Sequence, residues 1–226
     1  AVPLERSLGP LAGRACLALH LGQGVKFHLG ETVERLVDKG GGRLVATLSG
    51  GHEVDADAVV VGVGAAPNVG WLGSSGLEVA LGGVACDERL LAAPGVAVAG
   101  DIAAFPFRAG SGEITRVRVE HRTMAAEQGE HAAAALLGRR DPFEPVPYVW
   151  SDQYDVKIQV LGLPGPSDQV VVVDGSLESR RFVACLGRHG VFAAAVSFGR
   201  PRPLMKLRPL LARGASFAEA LALDLS

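Results

Sequence analysis

The sequence predicts an α/β unit followed by a small α+β domain with an antiparallel sheet. Two continuous apolar runs, over residues 57–64 and 96–101, end in or next to glycine. Such runs are typical of strands buried on both faces of a parallel sheet. After Pro142, Pro145 and Pro147 the pattern changes to short apolar segments separated by turn residues, as in an antiparallel sheet.

The first part of the chain is predicted to alternate between helices and strands. A helix is expected where apolar residues follow the helical period up to Gly22, and a second where alanine, glutamate and glutamine accumulate before Gly138. The helices are expected over 7–22 and 122–137, and the strands over 25–29, 32–38, 43–49, 52–54, 57–64 and 96–101.

The last part of the chain is predicted to consist of consecutive short strands and two terminal helices. The strands are expected over 156–161, 169–174, 182–187 and 191–198, and the helices over 204–213 and 217–223. The sequence Arg188-His189-Gly190 is a hairpin-type turn between the last two strands.

Composition excludes several classes of protein. With 226 residues, 48% of them hydrophobic and 20% charged, the chain has the balance of a globular protein, and its net charge of −2 argues against a nucleic-acid binder. No apolar run approaches the ~20 residues that cross a bilayer, so no membrane association is expected.

Cys16, Cys86 and Cys185 form no CxxC pair, so we expect a reducing, cytoplasmic setting. The six histidines lack metal-binding spacing, and no metal site is predicted.

Two groups of polar residues are candidates for a ligand site. Asp101 follows an apolar run and Gly100, at the end of a strand where α/β sheets bind ligands, and could accept hydrogen bonds from sugar or ribityl hydroxyls. The alternative is a turn-forming aspartate. Glu120, His121 and Arg122 precede the long helix, whose amino end favours negative charge on a ligand. The alternative there is a capped surface helix.

Two further positions lie in glycine-rich or aromatic segments. Trp150 belongs to a segment dense in aromatic and polar groups at the boundary between the two units, which is a common place for ligands. The alternative is a structural tryptophan at this boundary. The segment GVGAAP over 62–67 is not a phosphate loop because its sixth residue is Pro67, which instead suits a turn or a helix start.

Basic residues are concentrated near the end of the chain. Residues 180–213 contain eight basic and no acidic side chains, while the rest of the chain is acidic. Such a segment can steer an acidic partner, or it can be a solvated face of scattered arginines. The residues expected to dock an acidic partner are Arg200, Arg202, Lys206 and Arg208.

Three segments, in this order, resemble the C-terminal half of the FAD-dependent ferredoxin reductases, which have the pyridine nucleotide–disulfide oxidoreductase fold. They are AVVVGVGAAPN over 58–68, VAVAGDIAAFP over 96–106 and YVWSDQYDVKIQVLG over 148–162. The resemblance covers essentially the whole chain. It implies a partial Rossmann-type FAD/NAD-binding unit, with the end of an NAD domain over 1–66, a segment of an FAD domain over 67–145 and an α+β domain over 146–226.

The resemblance also implies roles for individual residues. Asp101, with Gly100, would bind the ribityl chain of FAD, and residues 120–122 would face the pyrimidine edge of the flavin. Trp150 would lie near the isoalloxazine on the route towards an iron–sulfur partner. Glu5, at the tail of a strand over 1–5, would bind the adenine ribose of NADH, and Pro67 belongs to the motif that leaves the NAD domain. No side chain is expected to act as acid, base or nucleophile.

The implied function is electron transfer from NADH through FAD to an acidic ferredoxin or rubredoxin. The sequence departs from the family in having Arg122 where an aromatic residue is common, and the family's two GxGxxG motifs lie upstream of this chain. We therefore expect a fragment of such a flavoprotein, with a truncated, non-catalytic remnant or interaction module that cannot hold FAD alone as the alternative. A related flavoprotein that does not serve ferredoxin is a third option, against which YVWSDQY argues.

Overall fold

The computed structural model describes residues 2–108 and 113–225. Its first part consists of a helix and a three-stranded antiparallel sheet in the order β1-β2-β3. These elements are α1 (Glu5–Leu21), β1 (Val33–Asp38), β2 (Leu44–Leu48) and β3 (Glu53–Ala56). The helix and the hairpin predicted here are confirmed. Residues 25–29, predicted as a strand, have no regular structure.

The beginning of α1 differs from the strand tail expected over 1–5. Pro3 and Leu4 form a turn, and Ala1 lies outside the described residues. Glu5 is therefore the first residue of a helix, where its carboxylate accepts a hydrogen bond from the backbone N–H of Val2 at 3.0 Å. The helix is kinked at Gly9, whose φ of 77° lies in the left-handed region.

The middle of the chain forms two small sheets and a long helix. The sheets have the orders β4-β5-β8-β9 and β6-β7, and β5 and β8 run parallel. The elements are β4 (Val79–Ala80), β5 (Gly83–Ala85), β6 (Leu91–Ala93), β7 (Val96–Ala97), β8 (Ala103–Arg108), β9 (Ile114–Val117) and α2 (Arg122–Leu136). The predicted helix over 122–137 is confirmed.

The last part of the chain is a five-stranded antiparallel sheet with three short helices. Its order is β10-β11-β14-β13-β12. The elements are β10 (Tyr148–Gln153), β11 (Val156–Gly162), β12 (Gln169–Ser176), β13 (Arg181–Arg188), β14 (Val191–Phe198), α3 (Pro201–Lys206), α4 (Arg208–Ala212) and α5 (Phe217–Ala222). The four predicted strands are confirmed. The single helix predicted over 204–213 is divided at Leu207, after which Pro209 stands in the first turn of α4.

Both faces of this sheet are buried. One face packs against α3, α4 and α5, with Phe192 and Leu204 in the shared core. The other face packs against α1, whose Leu8, Ala12 and Cys16 lie in the same core as the side chains of β11, β13 and β14. The first helix of the chain therefore covers a sheet whose strands lie more than a hundred residues further along the sequence. The N-terminal and C-terminal parts share a core.

The apolar run over 57–64 is not the buried strand that the sequence predicts. These residues have no regular structure, and the side chains of Val60 and Val63 are 95% and 90% exposed. A strand needs neighbours for its backbone N–H and C=O groups, and in the described part of the chain this segment pairs with none. The prediction is therefore wrong for this structure.

The second apolar run, over 96–101, is a strand only at β7. It pairs antiparallel with β6, and a 3-10 turn begins at Gly100. The mixed α/β class and the antiparallel C-terminal sheet are confirmed. Among the described residues, no helix combines the length and apolar character needed to cross a membrane.

Candidate functional site

The turn that carries Asp101 is fixed to α2 by a hydrogen bond. Gly100 has a φ of 79°, and its N–H donates to the side-chain oxygen of Gln128 at 2.8 Å. A Cβ on Gly100 would meet the Cβ of Ala125 at 3.8 Å, which is ordinary contact, so glycine is favoured here by conformation rather than by space. Asp101 itself is exposed. Its carboxylate is therefore open to hydroxyl donors from outside the chain.

Gln128 is fully buried, and only one of the two polar atoms of its side chain has a hydrogen-bond partner in the described part of the chain. Its Oε1 accepts from Gly100, while its Nε2 has no hydrogen-bond partner among the described residues. A buried donor without a partner costs about 1–3 kcal/mol. Gln128 thus fixes the turn through its oxygen, while its Nε2 stays buried beside that bond and unpaired within the described chain.

The amino end of α2 is capped by a residue of the predicted site. His121 is the N-cap, and its Nδ1 accepts from the N–H of Thr123 at 3.4 Å. The N–H of Ala125 bonds the carbonyl of His121 at 2.9 Å. The amides before it lie in the first turn, where helices carry partial positive charge. Arg122, the first helical residue, is exposed.

Arg118 connects Glu120 to the Asp101 turn. Its Nη1 donates to the carbonyl of Asp101 at 2.8 Å and is also paired with the Glu120 carboxylate, while its Nε donates to the carbonyl of Leu81 at 3.0 Å. One guanidinium thus holds three backbone segments together. The charge of Glu120 is compensated within the chain.

Trp150 lies beside the helix cap. Its ring centroid is 4.9 Å from that of His121 in an edge-on arrangement and 5.5 Å from that of Tyr148, with which it stacks. The hydroxyl of Thr123 donates to the carbonyl of Tyr148 at 2.9 Å. The strand β10, which contains Trp150, is therefore fixed to the first turn of α2, and the tryptophan is half-buried.

The structure brings most of the predicted site residues together. Gly100, Asp101, Glu120, His121 and Trp150 are linked through Arg118, Gln128 and α2, and Arg122 begins that helix. We call this set the α2 cradle; its members are Gly100, Asp101, Glu120, His121, Arg122 and Trp150.

Within the described part of the chain, the hydrogen bonds given for Glu5 and Pro67 are to residues close in sequence. The Glu5 carboxylate is bonded to Val2, and the Pro67 carbonyl accepts from the N–H of Val69 at 3.1 Å. Sequence reasoning missed Arg118 and Gln128, because an arginine directly after a strand and a glutamine in an alanine-rich helix do not indicate their partners.

The basic segment is partly neutralised within the C-terminal domain. Arg200 forms a two-fold ion pair with Asp174, at 2.6 and 2.7 Å. Arg188 pairs likewise with the fully buried carboxylate of Asp168, which raises the pKa of the guanidinium through its hydrogen bonds. Arg202 is exposed. Arg200, one of the residues predicted to dock a partner, is thus already paired with Asp174 of the same chain.

Two family profiles match the chain. The pyridine nucleotide-disulphide oxidoreductase family matches residues 2–129, and the reductase C-terminal family matches residues 148–226. The chain belongs to the pyridine nucleotide-disulphide oxidoreductase family, whose ferredoxin-NAD(+) reductases use FAD and NAD(H).

Among known proteins, the chain is similar to reductase components of electron-transfer systems. It is 35% identical to the ferredoxin–NAD(+) reductase component of the anthranilate 1,2-dioxygenase system of Burkholderia cepacia, over 94% of this chain and 51% of that protein. It is 33% identical to rhodocoxin reductase of Rhodococcus erythropolis, over 93% of this chain and 48% of that protein. The chain thus spans about half the length of these relatives.

Solved structures show the same similarity. The ferredoxin reductase for the CYP199A2 system of Rhodopseudomonas palustris has a TM-score of 0.86 and 32% identity, with 99% of this chain and 56% of that chain covered. Putidaredoxin reductase, in its covalent complex with putidaredoxin, has a TM-score of 0.86 and 25% identity, with 99% of this chain and 54% of that chain covered.

The residues of the α2 cradle fit FAD. The exposed Asp101 carboxylate can accept from hydroxyl groups, and the first turn of α2 suits a group that gains negative charge. Trp150 offers an aromatic surface beside them. An exposed carboxylate, an aromatic surface and a helix amino end together are compatible with the ribityl chain and the ring system of FAD.

Proposed function

We propose that this chain is the C-terminal half of a flavoprotein oxidoreductase that passes electrons from NADH through FAD to a ferredoxin- or rubredoxin-type protein. The observation that carries the proposal is the α2 cradle: Gly100, Asp101, the cap of α2 and Trp150 are fixed to one another in a chain of this family. The similarity of both halves of the chain to ferredoxin reductases supports it.

When bound, FAD supplies the hydride-accepting and one-electron-donating chemistry. The chain's own residues position and tune that group. The Asp101 carboxylate would accept hydrogen bonds from ribityl hydroxyls, and the first-turn amides of α2 would stabilise negative charge by about 0.3–1 kcal/mol, or up to ~2 where partly buried. Trp150 would shield the ring system from water, and its own position is supported by the edge-on contact with His121.

Two further cofactor contacts in the proposal are supported by sequence resemblance. Glu5 would bind the adenine ribose of NADH, and Pro67 would border the passage between the NAD and FAD parts. The domain limits at 66 and 145 belong to the same proposal. The shared core of α1 and the C-terminal sheet supports direct packing between the first and the last of these three parts.

The proposed partner is an acidic iron–sulfur protein, and the proposed docking surface contains Arg202, Lys206 and Arg208. Because Arg200 is paired with Asp174, its role would be to hold the start of α3 rather than to contact the partner. The solved complex of putidaredoxin reductase with putidaredoxin, in which a structural relative of this chain is linked to a protein partner, supports the coarser part of this proposal.

Charge reversal tests the docking surface. In a protein completed with the upstream half, we expect Arg202→Glu to slow reduction of an acidic ferredoxin about three- to tenfold at low ionic strength, because steering depends on charge. Reduction of a small dye should not change. Arg140→Glu, an exposed arginine outside the segment, is the matched control. Equal effects on ferredoxin and dye would contradict the proposed docking surface.

A chimera tests the flavin site. The N-terminal half of the Burkholderia relative is joined to this chain, and bound FAD is measured by its visible absorption. We expect Asp101→Ala to weaken FAD binding about 10- to 100-fold, since hydrogen bonds to a charged group contribute about 1.5–3 kcal/mol. Asp141→Ala, which removes an exposed aspartate paired with Arg139, should leave binding unchanged. Equal FAD affinity in both variants would overturn the assignment of Asp101.

The alternative function is an interaction module that holds no FAD by itself. The exposure of residues 57–64 and the coverage of about half of the relatives favour it for the isolated chain. The visible spectrum of the 226-residue chain distinguishes the two: tightly bound, stoichiometric FAD excludes the module, whereas a colourless chain that gains flavin in the chimera supports the fragment.

A further inference from the structure

Three side chains that could bind a metal ion meet beside the three-stranded sheet of the first part of the chain. His28 and Glu31 lie in the irregular segment before β1, and His52 lies in the turn between β2 and β3. One ligand atom from each lies within 4.8 Å of the other two. This cluster is independent of the α2 cradle in sequence, and the proposed electron transfer makes no use of it.

The distances within the cluster are close to those of a metal site. Glu31 Oε1 lies 3.4 Å from His52 Nδ1 and 3.9 Å from His28 Nδ1. Ligand bonds of ~2.0–2.1 Å in a tetrahedral zinc site place neighbouring ligand atoms about 3.3 Å apart. Small rotations of the side chains are therefore enough to bring all three onto one ion, and the two imidazole rings, 6.3 Å apart at their centroids, have room to face it.

Glu31 is held in place by the turn that carries His52. Its Oε2 accepts a hydrogen bond from the N–H of Gly50 at 3.3 Å. A Cβ on Gly50 would come within 2.9 Å of the same oxygen, so glycine leaves the carboxylate the space it occupies. Outer contacts of this kind orient metal ligands and strengthen binding.

The three side chains can be reached from solvent. Glu31 is 22% exposed, His28 43% and His52 67%. An ion can thus enter without a rearrangement of the sheet. The open side also leaves a coordination position for water, as in zinc sites with three protein ligands.

The ligand types select the class of ion. Two imidazoles and one carboxylate match the nitrogen and oxygen donors that Zn²⁺ and neighbouring transition metals prefer, whereas Mg²⁺ and Ca²⁺ take oxygen ligands. We propose that His28, Glu31 and His52 bind one divalent transition-metal ion of the Zn²⁺ type, with solvent completing the coordination. The bound ion links the irregular segment before β1 to the β2–β3 turn and stabilises this sheet by mass action.

Titration calorimetry of the untagged 226-residue chain with zinc chloride tests the proposal. We expect one Zn²⁺ per chain and a rise of the thermal unfolding temperature with zinc concentration. His52→Ala and Glu31→Gln should each lower the affinity at least tenfold. His189→Asn, which removes an exposed histidine of the β13–β14 turn, is the matched control and should bind like the wild type. Asparagine is chosen there because the position has a φ of 51°.

The proposal is overturned if the wild type takes up no zinc, or if the two ligand variants bind it as tightly as the control. Circular dichroism of each variant without metal shows whether the sheet is intact, and Co²⁺ absorption serves as a second measurement. A tetrahedral Co²⁺ spectrum in the wild type that is lost in His52→Ala supports the assigned ligands.

Discussion

Gln128 shows how a single buried residue connects the fold to the proposed site. The sequence placed Asp101 in a candidate site because it follows an apolar run and a glycine, and that reasoning required only neighbouring residues. Gln128 lies 28 positions from its partner Gly100, and an amide in an alanine-rich helix has no local pattern that indicates such a bond. Asp101 could therefore be predicted from the sequence, and the residue that fixes its turn could not.

Removing the Gln128 amide should loosen the Asp101 turn. In Gln128→Met the N–H of Gly100 loses its acceptor, while the unpaired Nε2 is removed as well, so the free energy of unfolding changes by the difference of two opposing terms of about 1–3 kcal/mol each. The direct expectation is therefore faster hydrogen exchange of the Gly100 N–H than in the wild type. Gln23→Met, at an exposed turn, should leave that exchange unchanged. Equal exchange of the Gly100 N–H in the two variants would show that the bond does not hold the turn.

At the scale of elements, the sequence predicted those parts whose partners are close along the chain. The strands β11 to β14 are joined in part by short turns, and α2 is rich in strong helix formers such as alanine and glutamate, so local patterns were sufficient. The strand β10 was missed because three of its six residues are polar, Ser151, Asp152 and Gln153. Its place depends on pairing with β11, which local composition does not encode.

Helix α5 depends on a capping box that also sets an acid-dependent stability. The Ser216 hydroxyl accepts from the N–H of Glu219, whose carboxylate accepts from the Ser216 N–H at 2.9 Å. The hydrogen bond from Arg213, together with those from Ser216, lowers the pKa of Glu219 to about 2. Because this pKa is depressed by folding, the stabilisation is complete above the ordinary pKa of 4.5 and is lost as the pH falls towards about 2.

Two substitutions test this cap. We expect Ser216→Ala to lower the free energy of unfolding by about 1 kcal/mol at neutral pH. Glu219→Gln should destabilise the chain at neutral pH, and its difference from the wild type should vanish between pH 4.5 and about 2. Urea unfolding at a series of pH values gives the profile. A difference that does not vary with pH would contradict the assigned ionisation.

At the scale of the whole molecule, the apolar segment 57–64 is the main departure from the predicted fold. Its composition is that of a buried strand, and Val60 and Val63 are nonetheless exposed. Burial on both faces requires neighbouring strands, which a local apolar run cannot supply. The chain spans about half of its relatives, and a surface of this kind suits contact with a further part of a longer protein.

The exposed segment should make the isolated chain self-associate. We expect the double variant Val60→Lys and Val63→Lys to reduce association in sedimentation velocity, because charge opposes contact between exposed apolar segments. Leu137→Lys, at a site of equal 90% exposure beyond the end of α2, is the matched control. Association that persists in the double variant, or is lost in the control, would contradict a role for this segment.

The most direct test of the central claim is the visible spectrum of the chimera before and after NADH is added without oxygen. The proposed function predicts one FAD per chain and a flavin band that bleaches on addition of NADH. A chimera that unfolds cooperatively, and is thus folded, but carries no flavin would contradict the account, as would a flavin band that NADH leaves unchanged.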